Sequence, residues 1–377
     1  MRLARRAFYC LHFILLAAMC SAASAEKLTI ERLFAAPDLS GASLRSPRLS
    51  PDGRLVTYLR GKDSNKDRLD LWAYDIASHQ HRLLVDSAVL APQEHTLSAE
   101  EEARRERQRT ASLSGIVEYE FSPDSQHLLV PLGGDLYVYN LQAPPERAVR
   151  RLTSGARYET DAHFSPHGAY VSFVRDQNLV VYDLAHSTER PITHDGGGAI
   201  SYGTAEFIAQ EEMDRTTGYW WAPDEKSIAF TRVDAAPVAE VDRFEIYADS
   251  VKVIKQRYPA AGTRNAAVQL FVHRLEAPAG STPLTQVDLG TNTDIYLARV
   301  NWLPHGAGLA VQRQSRDQKT LTLLKVDPAS GKATELLTEH SDTWVDLQDE
   351  LTFLDHSPRF IWASSRSGFK HLYLYDL

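Results

Sequence analysis

Two adjacent carboxylates, Glu211 and Glu212, stand a few residues before an aromatic triplet, Tyr219-Trp220-Trp221, and an Ala222-Pro223-Asp224 turn. Like charges side by side raise each other's pKa unless a cation is shared between them. The chemistry on offer is capture of an ammonium group; the plainer reading is two solvated surface charges. On a strand successive side chains point to opposite faces, so convergence on one ligand requires a turn or a short helix. The breaker-poor run from Phe207 to Arg215 permits one.

A second charged stretch lies in an insertion around residues 92–113. Ser98 with Glu101 three residues on reads as a capping box. Glu100 to Glu102 fall at the positive end of the helix it would start, and Arg104, Arg105, Arg107 and Arg109 toward the negative end. As structure, this is a solvated helix suited to its own dipole. As function, an arginine on this arm faces the carboxylate pair and binds an acidic or carbonyl group beside the captured ammonium.

The elements that position both stretches repeat. A turn followed by an apolar strand recurs as Ser50-Pro51-Asp52-Gly53, Ser122-Pro123-Asp124, Ser165-Pro166-His167-Gly168, Ala222-Pro223-Asp224 and Leu303-Pro304-His305-Gly306. A second strand follows, with Leu71, Leu136, Leu179, Leu270, Leu321 and Leu372 at equivalent places. Units of short strands roughly forty to fifty residues apart predict an all-β fold, a β-propeller of WD40-like blades with a short inserted charged helix. Two steps are longer. Leu71 to Leu136 holds the charged insertion; Leu179 to Leu270 holds the Glu-Glu stretch and has room for a whole extra blade.

Of 377 residues, 43% are hydrophobic and 24% charged, enough for a sizeable core. Residues 1–25 read as a secretory signal: Arg2, Arg5 and Arg6, an apolar run from Phe8 to Met19 too short to span a bilayer, and cleavage after Ala25. Met19 before Cys20 is larger than a lipoprotein signal expects. A lead-in over 26–47 and the propeller over 48–377 follow. Both cysteines, Cys10 and Cys20, sit in the leader, so the mature chain forms no disulfide and a periplasmic or secreted location is expected. Losing the leader's three arginines takes the net charge from −8 to −11, which argues against nucleic acid and anionic membrane as partners.

Motifs for other chemistries are missing. There is no Gly-x-Ser-x-Gly, Walker loop, dinucleotide fingerprint, His-Glu-x-x-His or cysteine pair for zinc, so neither a cofactor nor a metal is expected. His163 and His167 straddle a Ser-Pro turn and read as turn residues.

The stretch Glu211-Glu212-Met213-Asp214-Arg215-Thr216-Thr217-Gly218-Tyr219-Trp220-Trp221-Ala222-Pro223-Asp224 resembles the N-terminal propeller of the dipeptidyl peptidase IV family, serine peptidases of the prolyl oligopeptidase superfamily. Three more segments match it in order: Tyr258 to Asn265, Tyr296 to Trp302, and Trp362 to Tyr373. The resemblance implies an eight-bladed propeller capping a C-terminal α/β-hydrolase domain, with about six to seven blades in this chain. It implies that Glu211 and Glu212 bind the free amino terminus of a peptide. It also implies an arginine on the neighbouring carbonyl, supplied by the arm before Ile116-Val117-Glu118-Tyr119; Arg109 is the best match, with Arg107 and Arg105 behind it. Dipeptide release with Pro or Ala at the penultimate position is the implied activity.

The family's catalytic Ser, Asp and His lie beyond the propeller, and the chain stops at Leu377. It reads as the N-terminal part of a longer enzyme, inactive alone, with open sheet edges that favour self-association. The hydrolase domain and a second copy in a homodimer are further expected partners. The alternative is a propeller module that only binds peptides or proteins.

Overall fold

The Ser-Pro-Asp turns close on their own side chains. Ser50 Oγ donates to Asp52 Oδ1 (2.6 Å) and accepts the backbone N–H groups of Arg54 and Leu55. Ser122 and Asp124 repeat the arrangement around His127. Each turn thereby satisfies its own backbone and delivers the chain into an apolar strand.

The computed structural model describes residues 27–35, 39, 41, 44–92, 96–276, 282–354 and 356–377. The leader, with Cys10 and Cys20, lies outside the described residues. The chain divides into two units, Met1–Ser43 and Leu44–Leu377. In the first, the short helix Ile30–Phe34 is capped by the Thr29 hydroxyl.

In the second unit the described strands form six successive antiparallel blades. Blade one runs Arg45–Leu49, Leu55–Lys62, Asn65–Asp75 and Gln80–Val85. Blade two runs Glu120–Phe121, His127–Leu132, Asp135–Asn140 and Val149–Arg151, and blade three Glu159–Phe164, Tyr170–Arg175, Asn178–Asp183 and Thr188–Pro191. Blade four is built on Ser227–Asp234, Ala267–Arg274 and Leu284–Gln286, with a divided first strand described below. Blade five runs Ile295–Trp302, Leu309–Ser315, Thr320–Val326 and Ala333–His340; blade six runs Thr352–Phe353, Arg359–Ser364 and His371–Asp376. The six equivalent leucines all fall on the third strand of their blade.

Burial explains the order. Leu128 and Val130 of blade two join Leu59, Leu69 and Leu71 of blade one, whereas Leu129, Leu136 and Val138 turn to Val171 and Phe173 of blade three. Alternate residues of one strand therefore feed two different cores. Blades three and four share Val174, Leu179, Tyr219 and Phe230; blades four and five share Leu270, Val272, Leu297 and Val311; blades five and six share Leu321, Leu323, Phe360 and Trp362. These are propeller blades stacked face to face.

The long step from Leu179 to Leu270 holds no extra blade among the described residues. Its length is spent on an excursion inside blade four and on a two-stranded hairpin, Glu240–Ile246 with Val251–Arg257.

Candidate functional site

The first strand of blade four is interrupted. Ile200–Tyr202 and Tyr219–Trp221 both pair with Ser227–Asp234, and the chain between them leaves the sheet and returns. Both crossings are held at Thr231, whose backbone carbonyl accepts the Gly203 N–H (2.9 Å) and whose N–H donates to Gly218 O (2.8 Å). Its hydroxyl donates to Thr204 O (2.7 Å). A side chain at Gly218 has no room, because its Cβ would lie 2.3 Å from Thr204 O. Gly203 takes a left-handed φ of 68° that favours glycine. The excursion thus has a pinched neck.

Beyond the neck lies the helix Phe207–Glu212, which ends on the carboxylate pair. Buried Arg215 fixes it: Nη2 pairs with Glu206, Nε donates to Leu297 O (3.0 Å) of blade five, and Nη1 to Thr217 O (3.0 Å). Met213 is buried against Tyr296 and Ala298. The aromatic triplet anchors the return strand on both sides. Tyr219 OH donates to Asp161 O and Ser172 O, and Trp221 stacks on Tyr170 with ring centroids 5.4 Å apart. Trp220 O accepts the indole N–H of Trp302 (2.9 Å) from blade five. These aromatics join blades and are spent in doing so.

The helical turn sends the two glutamates to different surroundings. Glu211 is half-buried and faces the arm; Glu212 is exposed and lines a cleft of about 410 Å³ with Tyr296, Arg299 and Asp346. Both stand in the last helical turn, where the free carbonyls add negative potential to the carboxylates.

The arm is the helix Ala99–Arg107, started by Ser98 Oγ accepting the Glu101 N–H (3.2 Å). Glu101 does not complete the box. Its carboxylate is buried, taking Arg105 Nε (2.6 Å) on one oxygen and Thr160 Oγ (2.6 Å) of blade three on the other. Arg105 is buried too and reaches Tyr158 OH (2.9 Å). Arg104 makes a two-pronged pair with Glu118 (2.9 and 2.6 Å). The helix is therefore docked on its polar face rather than solvated all round.

One turn on, Arg107 Nε lies 3.9 Å from Glu211 Oε1, and its guanidinium covers the Phe207 ring at 5.0 Å. Among the described residues this guanidinium makes no hydrogen bond, so its donors are unspent. Burial pushes its pKa down, opposed by the Glu211 charge. Arg109, the arginine given by the resemblance, follows the helix end at a φ of 58°; it is exposed and has no ion pair among the described residues. Arg105 is spent on Glu101 and Tyr158.

Under the arm is a cluster that sequence reasoning missed. His163 is a strand residue, not a turn residue, and its ring meets Glu120 (2.9 Å) and Asp161 (3.2 Å). Burial opposes its charge, but the two carboxylates lift its pKa to about 10. The register breaks between Thr160 and His163, with Asp161 at a φ of 54°; this bulge aims Asp161 at Arg104 (3.8 Å). The Glu101–Arg105 spacing of four was a readable signal; the partners from blades two and three were not. Among the described residues no group of His, Cys, Asp and Glu is placed to hold a metal ion, and no helix is long and apolar enough to cross a membrane.

Residues 117–377 match the family described as the dipeptidyl peptidase IV (DPP IV) N-terminal region. The chain is 28% identical over 233 residues to a probable dipeptidyl peptidase 4 of Aspergillus flavus, covering 57% of this chain and 29% of that protein. It is 25% identical over 333 residues to dipeptidyl peptidase 8 of Mus musculus, covering 73% and 37%. The crystal structure of Porphyromonas gingivalis dipeptidyl peptidase 4 shares its fold with a TM-score of 0.67 at 24% identity, covering 89% of this chain and 46% of that one. The chain thus spans less than half the length of each of these proteins. With more than half its residues inside the match, it belongs to the dipeptidyl peptidase IV N-terminal region family.

Proposed function

We propose that this chain is the substrate-gating, amine-binding propeller of a periplasmic serine dipeptidyl peptidase that releases dipeptides from free peptide N-termini, with Pro or Ala preferred at the penultimate position. The observation that carries this reading is the meeting of Arg107 and Glu211 from two separate insertions, with the guanidinium donors unspent. Glu211 and Glu212 share the substrate ammonium at the helix end. An arm arginine donates to the first carbonyl; the geometry favours Arg107 for that role over Arg109.

Two carboxylates and a guanidinium held on rigid blades act as a ruler. A peptide anchored by its amine has one bond at the right distance for a nucleophile supplied from outside this chain, so binding energy is used for positioning. The nucleophile and the pocket for the penultimate side chain belong to a hydrolase domain joined to this propeller.

The test uses the full-length protein carrying this chain, incubated with Ala-Pro-Ala-Ala-Ala and its N-acetyl form. Sequential release of dipeptides from the free-amine peptide alone is expected. Release of single residues, internal cleavage, or equal cleavage of the acetylated peptide overturns the reading.

A further inference from the structure

Arg107 is not held by Glu211 alone. At 3.9 Å their charged atoms are beyond hydrogen-bond reach, so what fixes the guanidinium is its seat over Phe207, 5.0 Å from the ring centroid. Phe207 opens the helix Phe207–Glu212 and is half-buried. A phenyl ring there turns about two bonds unless something meets it. Tyr258 does: the two rings stand edge to face, with centroids 5.2 Å apart and planes at 78°.

Tyr258 is itself firmly mounted. It directly follows the hairpin strand Val251–Arg257; its N–H donates to Ala239 O (3.0 Å) and its carbonyl accepts the Ala260 N–H (3.0 Å). Buried Pro259 keeps its backbone out of the helical region. Arg257 Nη1 ties the hairpin root to Val238 O (2.7 Å), and Arg316 Nη2 of blade five donates to Thr263 O (2.9 Å) further along the segment. Tyr258 is 41% exposed, so the blade cores do not depend on it. Arm, excursion and hairpin, three separate insertions, thus meet in one stack.

Resting on the amine-anchor reading above, we infer that Tyr258 is a positioning residue for Arg107, acting through Phe207. The Tyr258 ring keeps the Phe207 ring under the guanidinium and so aims the unspent donors at the peptide carbonyl.

The test compares the 377-residue chain with its Tyr258→Ala and Tyr258→Phe variants. Without peptide, phenylglyoxal labels accessible guanidinium groups, and mass spectrometry of a digest reads Arg107 against exposed Arg109. Labelling of Arg107 is expected to be about fivefold faster in Tyr258→Ala, and as slow as in the wild type in Tyr258→Phe, which keeps the ring. Equal labelling in all three overturns the inference. Calorimetric titration of Ala-Ala-Ala then shows whether the effect passes through Arg107. Tyr258→Ala should weaken binding about fivefold in the wild-type background and leave it unchanged in Arg107→Met. An equal loss in both backgrounds also overturns the inference. If N-acetyl-Ala-Ala-Ala binds the wild type as tightly as the free peptide, the amine anchor falls and the aim at a peptide carbonyl with it, and the labelling alone decides whether Tyr258 holds Arg107. Should Tyr258→Ala fail to fold by circular dichroism, Tyr258→Thr, suited to the extended backbone before Pro259, takes its place with the same expectations.

Discussion

Arg107 Nε lies 3.9 Å from Glu211 Oε1, across a gap between an arm inserted after blade one and an excursion inside blade four. More than a hundred residues separate the two in sequence. Each is delivered by its own set of buried polar contacts, Glu101 and Arg104 for the arm, Arg215 and the neck at Thr231 for the excursion. The site is a junction of two insertions on a repeating scaffold, so its integrity depends on residues that touch no ligand.

Replacing Arg107 with Met removes the unspent donors but keeps a side chain over Phe207. Binding of a free-amine tripeptide is expected to weaken by about 1.5–3 kcal/mol, the worth of a hydrogen bond to a charged group. Arg109→Ala should change affinity by less than about twofold, as for an exposed surface charge. Calorimetric titration of both variants separates them; the opposite order gives the role to Arg109.

Glu101→Leu leaves Arg105 and Thr160 without their shared carboxylate. Breaking a buried pair costs about 3–5 kcal/mol, and here the loss is expected to fall on the arm. Limited proteolysis with trypsin should cut after Arg104, Arg107 or Arg109 much faster than in the wild type, while blade unfolding by circular dichroism moves little. An unchanged cleavage rate contradicts the docking role given to Glu101.

His163 sets a pH dependence. Below about pH 6.5 the histidine is protonated in both the folded and the unfolded chain, so its pairs with Asp161 and Glu120 contribute in full. As the pH rises toward about 10, the unfolded chain releases the proton first, and this contribution is lost. Urea midpoints should therefore fall between pH 6.5 and 10 more steeply in the wild type than in His163→Gln. Parallel slopes contradict a raised pKa.

Gly218→Ala places a methyl carbon 2.3 Å from Thr204 O. Opening the neck is expected to cost about 1–3 kcal/mol, as for overpacked interiors, with a lowered melting temperature and weaker peptide binding in the fraction that stays folded. A melting temperature equal to the wild type's shows that the neck is slack.

Much of this arrangement was legible in the sequence, for local reasons. The Ser-Pro-Asp turns and the equivalent leucines mark the blades, because each blade repeats the same local chemistry. The Glu-Glu pair showed itself by breaking that repeat. The partners were not legible, since they come from other blades: Glu101 finds Thr160, Arg215 finds Leu297 O, and His163 finds Glu120. Among the arm arginines the resemblance put Arg109 first, whereas the docked helix turns Arg105 into the protein, brings Arg107 to Glu211 and leaves Arg109 past the helix end. The extra length before Leu270 was ambiguous, as a hairpin and a blade carry the same strand signals.

The most direct test is the cost of acetylating a peptide's amine, measured as the ratio of dissociation constants for Ala-Ala-Ala and N-acetyl-Ala-Ala-Ala. The account predicts a ratio of about a hundredfold in the wild-type chain, falling to no more than a few-fold when Glu211→Gln and Glu212→Gln are combined. The same ratio in both proteins would contradict it, since the carboxylates would then have no part in holding the ammonium.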